Sequence, residues 1–399
     1  AARTIAEADV FLLCTGAGFS ADSGLAIYAD VAKVPAYAAR GLEYRDLCQP
    51  FWLEQEPELF WGFWGQCYND YRNTTPHPGY EILDRWAERR FRHSAIAEEI
   101  RRGLAADTEE AAEEDGTEEP YHVTDHAGGF FVFTSNVDAH HFDWFKAGEI
   151  RECHGNTEVY QCAMPSACTG VWRAPPDFAF EVDKASMLAP ATTEVDQVPE
   201  ESEDSPGAGS PSPKAETSGP EAPPRIGRVR GGGRVTMLRN MPALSSEEAA
   251  LAGFTTNHPQ CRKCGGAARP AILMFSDSSW QDVDSQQERW DAWGNAVEQL
   301  GQRQSSGTAL RVAILEIGAG GNVVTVRGTS ERCFKEFRDA GADVRLIRVN
   351  PDLPLGDGQE LAPEGEHESR LISVMGRGLE SLRKMDAAMP EAMRAASVS

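Results

Sequence analysis

Short, mostly apolar runs recur along this chain, and each ends in small or polar residues. The first, Val10 to Thr15, opens directly onto Gly16-Ala17-Gly18. A second, 130–133, ends on Thr134-Ser135-Asn136, and a third covers 271–275. Two more, 310–317 and 344–349, run into Gly318-Ala319-Gly320 and Asn350. None alternates apolar with polar, so each reads as a strand buried on both faces. Between the strands the period changes. Within 36–86, Phe60, Phe63, Trp64, Tyr68 and Tyr71 fall on one face of a helix and predict a helical core wall. Phe334 and Phe337 share a face of another helix, which Gly341 is placed to terminate. Strands alternating with helices predict an α/β fold with a doubly wound, parallel, Rossmann-type sheet. A helical subdomain is expected over 35–105. No internal repeat is visible.

Composition changes this picture at two places. Residues 185–233 are rich in Pro, Ser, Gly and Glu and poor in apolar side chains. Such a stretch cannot offset its ordering entropy and is expected to be a disordered linker. Residues 105–120 form an acidic, alanine-rich insertion, expected as a loop or ragged helix. The net charge of −24 is concentrated in the same places: 98–119 and 181–224 each carry 10 acidic and 2 basic residues. The remainder is mildly acidic and lacks clustered cations, so no direct nucleic-acid contact is expected. Arg225, Arg228, Arg230 and Arg234 form the one basic patch, which reads as a solvated loop balancing the acidic linker. No apolar run is long enough to span a bilayer, and no basic-then-apolar leader opens the chain. It begins at Ala1 without an initiator methionine, as a processed form or fragment would. Nine cysteines, odd in number and sparse, predict an intracellular, reducing compartment.

The candidate chemistry sits where the strands end. Gly16, Gly18 and Ala21 fit the G-x-G-x-x-G/A dinucleotide pattern. Glycines there let backbone approach a pyrophosphate, and a following helix N-terminus would stabilise its charge. Two glycines in a strand-to-helix turn also occur for steric reasons alone. The acidic residue expected about 20 positions on is missing, because Asp30 and Glu43 fall in a helical region; this disfavours a hydride-transfer Rossmann enzyme. Cys162 and Cys168 form one cysteine pair, Cys261 and Cys264 another, and together they could hold a structural Zn²⁺. The competing reading is four buried, unliganded thiols. Cys14, Cys48, Cys67, Cys153 and Cys333 lie in apolar or helical contexts and read as packing residues.

Taken together, these motifs resemble those of the sirtuin family of NAD-dependent protein deacylases. Gly16-Ala17-Gly18-Phe19-Ser20 with Ser23-Gly24 looks like the family's Gly-Ala-Gly-x-Ser-x-x-Ser-Gly loop. Thr134-Ser135-Asn136-Val137-Asp138 is similar to its Thr-Gln-Asn-Ile-Asp, and His154-Gly155 to its His-Gly. The cysteine pairs match its zinc module. Arg269-Pro270 and Phe275-Ser276-Asp277 resemble its Arg-Pro and Phe-Gly-Glu elements. Gly318-Ala319-Gly320 and Val349-Asn350 stand where the family has Gly-Thr-Ser and Ile-Asn. The resemblance covers about residues 6–382, and the order and spacing of the motifs carry it.

The resemblance implies an NAD-binding domain built from 1–150 and 270–385, a zinc module at 151–269 containing the linker, and a tail at 386–399. It implies transfer of an acyl group from lysine to ADP-ribose, with release of nicotinamide. His154 would be the catalytic base, a role suited to an imidazole near pKa 6.5. Gly16, Ala17, Gly18, Ser20, Tyr28, Asn136, Asp138, Gly318, Ala319, Gly320 and Asn350 would hold NAD. Phe275 and Ser276 would face the acyl-lysine, and the four paired cysteines one structural zinc. Asp138 has a competing reading as a helix N-cap. The chain departs from the family pattern after Ser23-Gly24. Where the family reads Ile-Pro-Asp-Phe-Arg, this chain has Leu25-Ala26-Ile27-Tyr28-Ala29, losing a charged pair at Ile27 and Ala29. Ser135 and Ala139 replace a Gln and a Gly. An NAD- or ADP-ribose-binding module without turnover, and a protein ADP-ribosyltransferase, are therefore alternative readings.

Overall fold

In the computed structural model the described residues are 1–27, 30–111, 120–164, 168–191, 251–303 and 309–396, with side chains excepted at 106–111 and 392–396. Strand β1 (Val10–Thr15) is buried along its whole length. It pairs in parallel with β2 (Phe130–Thr134) on one side and β7 (Arg311–Ile317) on the other. β3 (Ile150–Glu152), β8 (Asp343–Val349) and β9 (Leu371–Val374) extend the sheet to the order β3-β2-β1-β7-β8-β9, every pair parallel. This is the 3-2-1-4-5-6 order of a doubly wound dinucleotide fold, with its switch point between β1 and β7.

Period-two alternation along β1 divides the core. Phe11 and Leu13 face one cluster, while Val10, Leu12 and Cys14 face the other. Three helices cover the first face: α1 (Ala2–Glu7), α7 (Gly79–Trp86) and the C-terminal α11 (Gly378–Ala396). The second face packs against α8 (Ala95–Ala111), α9 (Asp284–Arg303, through Trp290, Trp293 and Val297) and α10 (Thr325–Asp339, through Phe334 and Phe337). Gly341, at φ +101°, follows α10 as its terminator.

A second, three-stranded antiparallel sheet has the order β5-β4-β6, from β4 (Gly155–Cys162), β5 (Val171–Arg173) and β6 (Ala268–Ile272). The run at 271–275, expected in the parallel sheet, therefore begins inside β6 of the small one. An apolar run of that length is compatible with either sheet, and pairing with β4 decides it. The aromatic stripe lies on α6 (Pro57–Asn73), preceded by the short helices α3 (Pro35–Ala39), α4 (Tyr44–Leu47) and α5 (Trp52–Gln55). Its Phe60, Trp61, Phe63, Trp64 and Tyr68 are buried against the small sheet in a third core, with Trp61 stacked 5.2 Å from Phe180. The expected linker starts later than composition suggests. Ala189 N–H donates to the Glu58 carbonyl at 2.9 Å, so the segment up to 191 is part of this wall. Residues 192–250, with the rest of the linker and the basic patch, lie outside the described residues, as do 112–119 of the acidic insertion; α8 runs into the latter's first part. No helix among the described residues is long and apolar enough to cross a membrane.

Candidate functional site

The loops after β1 and β7 meet at the switch point. Gly16 N–H donates to Ile317 O and Gly18 N–H to Gly318 O, both at 3.0 Å. A Cβ on Gly16 would lie 2.8 Å from Ala319 Cα, and one on Gly18 2.8 Å from Gly318 Cα. Both glycines are thus required by the contact of two backbones, whatever ligand lies beyond. The helix after them, α2 (Ala17–Ala21), has only five residues, so the full helix dipole expected there is absent. Ala319 is buried in the core, and no atom crowds Gly320. Asn350 spends its side chain on the loops: Nδ2 donates to Ala319 O at 2.8 Å, and Oδ1 accepts Asp352 N–H and Leu353 N–H at 2.9 and 2.8 Å.

Beyond the carboxyl ends of β1 and β2 lies a cavity of about 570 Å³. Ala17, Ser20, Ser135, Asn136, Asp138 and His154 line one part; Leu25, Val31, Trp64, Ile272, Met274, Phe275 and Ser276 line another. The polar end has a definite proton order. Ser20 Oγ donates to Asp138 Oδ2, so it must accept from Asn136 Nδ2, 3.0 Å away. The Asn136 amide is thereby oriented, and its Oδ1 stays buried without a partner. An unpaired buried carbonyl oxygen costs roughly 1–3 kcal/mol, which a ligand donor reaching it would recover. Asp138 Oδ1 accepts His140 N–H at 2.9 Å, just ahead of the 3₁₀ turn His140–Asp143, whose N-cap position is Ala139. One carboxylate oxygen thus orders the backbone entering this turn, while the other sets the Ser20 hydroxyl. Burial opposes its charge, but His140, His141, Ser20 and the His140 amide outweigh it and hold the carboxyl below the ordinary aspartate value.

Cys153-His154-Gly155 forms the hinge between the two sheets. Gly155, at φ +67°, has no room for a Cβ, which would lie 1.8 Å from Ala271 O. His154 O accepts Leu273 N–H at 3.0 Å, tying the hinge to the segment after β6. Burial, then Arg151, lowers the His154 pKa below the ordinary histidine value, while a hydrogen bond to the Ser135 carbonyl and Asp282 oppose them. The ring is therefore neutral at pH 7. A neutral imidazole carries one N–H donor and one lone pair. Across the cavity, Ser276 holds φ +56°, a conformation non-glycine residues rarely adopt and one that recurs at functional sites. Phe275 N–H donates to Cys48 O at 3.0 Å, and Arg45 stands 5.2 Å over the Phe275 ring. Tyr28 lies outside the described residues.

Three groups support the site: Arg269 with Asp277, whose motifs the sequence displays, and His77 and His141, which sequence reasoning missed. Arg269 and Asp277 form a buried pair at 2.6 and 3.0 Å that fixes the turn bearing Phe275 and Ser276. His77 Nε2 bonds Phe19 O, and its Nδ1 accepts Gly79 N–H, both at 2.9 Å, which requires the neutral ring. His141 Nε2 bonds Thr15 Oγ1 at 2.9 Å beneath β1 and β2. The two histidines carry no local signal, because Phe19 and Thr15, which they bond, are remote in sequence.

The buried histidines set an acid limit. Burial lowers the His141 pKa to about 4 and also lowers that of His77. As pH falls from the unfolded value of about 6.5, the unfolded chain takes up protons before the folded one. Their stabilisation is full above that pH and is lost progressively down to the folded pKa. Denaturant titrations should therefore show stability falling between pH 6.5 and 4, by at most about 1.4 kcal/mol per pH unit for each histidine. His141→Gln should flatten the slope. An identical slope in that variant would assign the effect elsewhere.

The four paired cysteines converge. Cys162 ends β4, and its register partner Ala268 begins β6, just after Cys261 and Cys264. Their sulfurs all lie within 4.8 Å of one another, with Cys162 and Cys264 3.8 Å apart. A tetrahedral zinc with bonds of about 2.3 Å needs sulfurs about 3.8 Å apart. Met164 N–H points at Cys162 Sγ and Gly266 N–H at Cys264 Sγ, each two residues on and at 3.4 Å, as donors to thiolates. The donor set fits one structural Zn²⁺, with no position left open for catalysis. Among the described residues no other group of three or more metal-capable side chains converges.

No family model and no curated protein matches this chain. Solved structures do match along almost its whole length. A mutant Sir2 homologue in complex with 2'-O-acetyl ADP ribose has a TM-score of 0.49 at 16% identity, over 98% of this chain and 96% of that one. A Sir2 homologue–NAD complex has 0.47 at 16%, over 98% and 93%. Sir2 bound to acetylated peptide has 0.43 at 13%, over 97% and 95%. At such identities the site must be read from its own residues.

Proposed function

We propose that this chain is an NAD-dependent protein lysine deacylase that transfers the acyl group to ADP-ribose and releases nicotinamide. The observation that carries this reading is one cavity, at the carboxyl ends of β1 and β2, lined by Ser20, Asn136 with its Oδ1 unpaired, and a neutral His154. The order of the sequence motifs supports it independently. Ligands of doubly wound sheets bind at this position.

NAD, when bound, supplies the ribose carbon that receives the acyl oxygen, and nicotinamide as leaving group. Gly16, Ala17, Gly18, Gly318 and Ala319 form the backbone floor, and Asn350 keeps it in shape through Ala319 O. Asn136 Oδ1 accepts a hydroxyl or carboxamide proton, in the orientation that Ser20 and Asp138 impose. The lone-pair nitrogen of His154 would take a proton from a ribose hydroxyl. Its burial makes the neutral, proton-accepting form dominant at pH 7. Phe275 and Ser276 form the wall for the acyl-lysine, braced by Arg269 and Asp277. The cysteine cluster holds the small sheet, and through Leu273 N–H it steadies the His154 hinge.

Nicotinamide release from NAD, with and without acylated peptide, tests the reading. Release that depends on peptide and yields acylated ADP-ribose is the expected result. Peptide-independent release with ADP-ribose left on protein would identify a transferase instead. NAD binding without release across acetyl, succinyl and long-chain peptides would leave only the binding module, the outcome to which the lost charges at Ile27 and Ala29 point.

A further inference from the structure

A second, smaller cavity of about 160 Å³ opens at the other end of the sheet. Ile5, Trp86, Met389 and Pro390 give it apolar walls, and Arg85, Arg89, Arg90 and Asp386 its charge. It adjoins Ala8, before β1 begins, whereas the cofactor loops follow Thr15. The whole of β1, about 20 Å, therefore separates the two sites.

The charges there do not balance. Arg85 Nη2 donates to Asp386 Oδ2 at 2.6 Å and Trp86 Nε1 to Asp386 Oδ1 at 2.9 Å, so this carboxylate is fully engaged. Asp9, the acid nearest Arg90 in charge, is held by Arg311 through three bonds of 2.8 to 3.1 Å. Arg90 has only a long bond of 3.3 Å to Ala8 O and the face of Phe91, 5.9 Å away. Its Nε is buried and has no acceptor. Arg89 is exposed and has no carboxylate partner among the described residues. Two guanidiniums thus stand uncompensated in a chain of net charge −24.

Both arginines line the cavity and belong to one irregular turn. Here α7 widens into a π-turn, Ala87–Phe91, closed by Arg92 N–H to Ala87 O at 3.0 Å. Such turns are rare and concentrate at functional sites.

We propose that this cavity is a binding site for a phosphate monoester carrying a small apolar group. A dianion matches two free guanidiniums, whose planar forks suit phosphate oxygens. Trp86, Met389, Ile5 and Pro390 would pack the apolar substituent. Arg85 remains the partner of Asp386 and holds α11 in place as one wall.

Calorimetric titration of the full chain with phenyl phosphate and with inorganic phosphate, at fixed ionic strength, tests the site. Phenyl phosphate should bind saturably and more tightly than inorganic phosphate. Arg89→Gln with Arg90→Gln should weaken that binding by roughly a hundredfold, since each charge-assisted bond is worth about one decade of affinity. Arg89→Gln alone, at an exposed position, should cost roughly tenfold and serves if the double variant misfolds. Phosphate held at the cofactor loops would survive both substitutions, so undiminished binding in the variants overturns the site. So does the absence of saturable binding in the wild type.

Discussion

Replacing Cys261 by alanine is expected to reduce bound zinc from about one per chain to almost none, and to destabilise the protein by several kcal/mol. Cys261 is buried, and it is one of four sulfurs placed to share one ion. Metal binding to such a site is folding free energy, worth about 10–16 kcal/mol in small zinc modules at neutral pH. The two cysteine pairs are separated by 92 residues in sequence, and the ion would tie them to one point beside the β4–β6 pairing. The loss should propagate. Cys162 and Ala268 are register partners in β4 and β6, and the segment after β6 carries Leu273, which bonds the His154 hinge. Cys67→Ala is the control: that thiol is also buried, on α6, but lies outside the cluster. It should keep its metal and lose only packing. Metal analysis and thermal melting with and without chelator decide the matter. A metal-free chain that melts like wild type would refute the zinc assignment.

What could be read beforehand followed from how local the cause was. The runs that became β1 and β2 are apolar because both faces are buried, and burial on two faces leaves its mark in each strand's own sequence. The stripe on α6 is equally local. β4 was not legible, because its buried residues include Asn156, Thr157, Glu158 and Gln161. These positions are satisfied from far away: Arg72 on α6 donates to Glu158 at 2.7 Å, and Asn156 bonds Tyr121. A strand whose polar side chains find remote partners looks like a loop in isolation. The same reasoning separates the parts of the site. Gly16, Asn136 and His154 stand in recognisable order, and the cysteines in recognisable pairs. The orientation of the Asn136 amide depends on Ser20 and Asp138, and the stiffness of the acyl wall on Arg269 and Asp277. Those are three-dimensional facts. The loop glycines teach the converse, since their fit to a dinucleotide pattern is fully accounted for by backbone contact between two loops.

His154→Ala is expected to lower acyl transfer by about 10²–10⁴-fold while leaving NAD affinity within a few-fold of wild type. The division follows from where the contacts lie. The backbone floor from β1 and β7, and the Asn136 acceptor, belong to the parallel sheet and do not depend on the imidazole. His154 belongs to the hinge between the sheets, and its neutral ring has a lone pair able to take a proton. Removing it deletes a proton acceptor and little binding surface. Burial lowers the His154 pKa, so below that value the ring holds a proton and cannot accept one. Activity in the wild type should therefore fall as pH drops through a pKa below 6.5. His154→Gln keeps a polar side chain of similar reach but cannot act as a base. It should be as inactive as alanine while binding NAD more nearly like wild type. Steady-state turnover on acyl peptide, paired with direct titration of NAD into each variant, separates the two roles. If both substitutions abolish NAD binding together with turnover, His154 is a cofactor contact. If His154→Ala retains full turnover, the base lies elsewhere in the cavity.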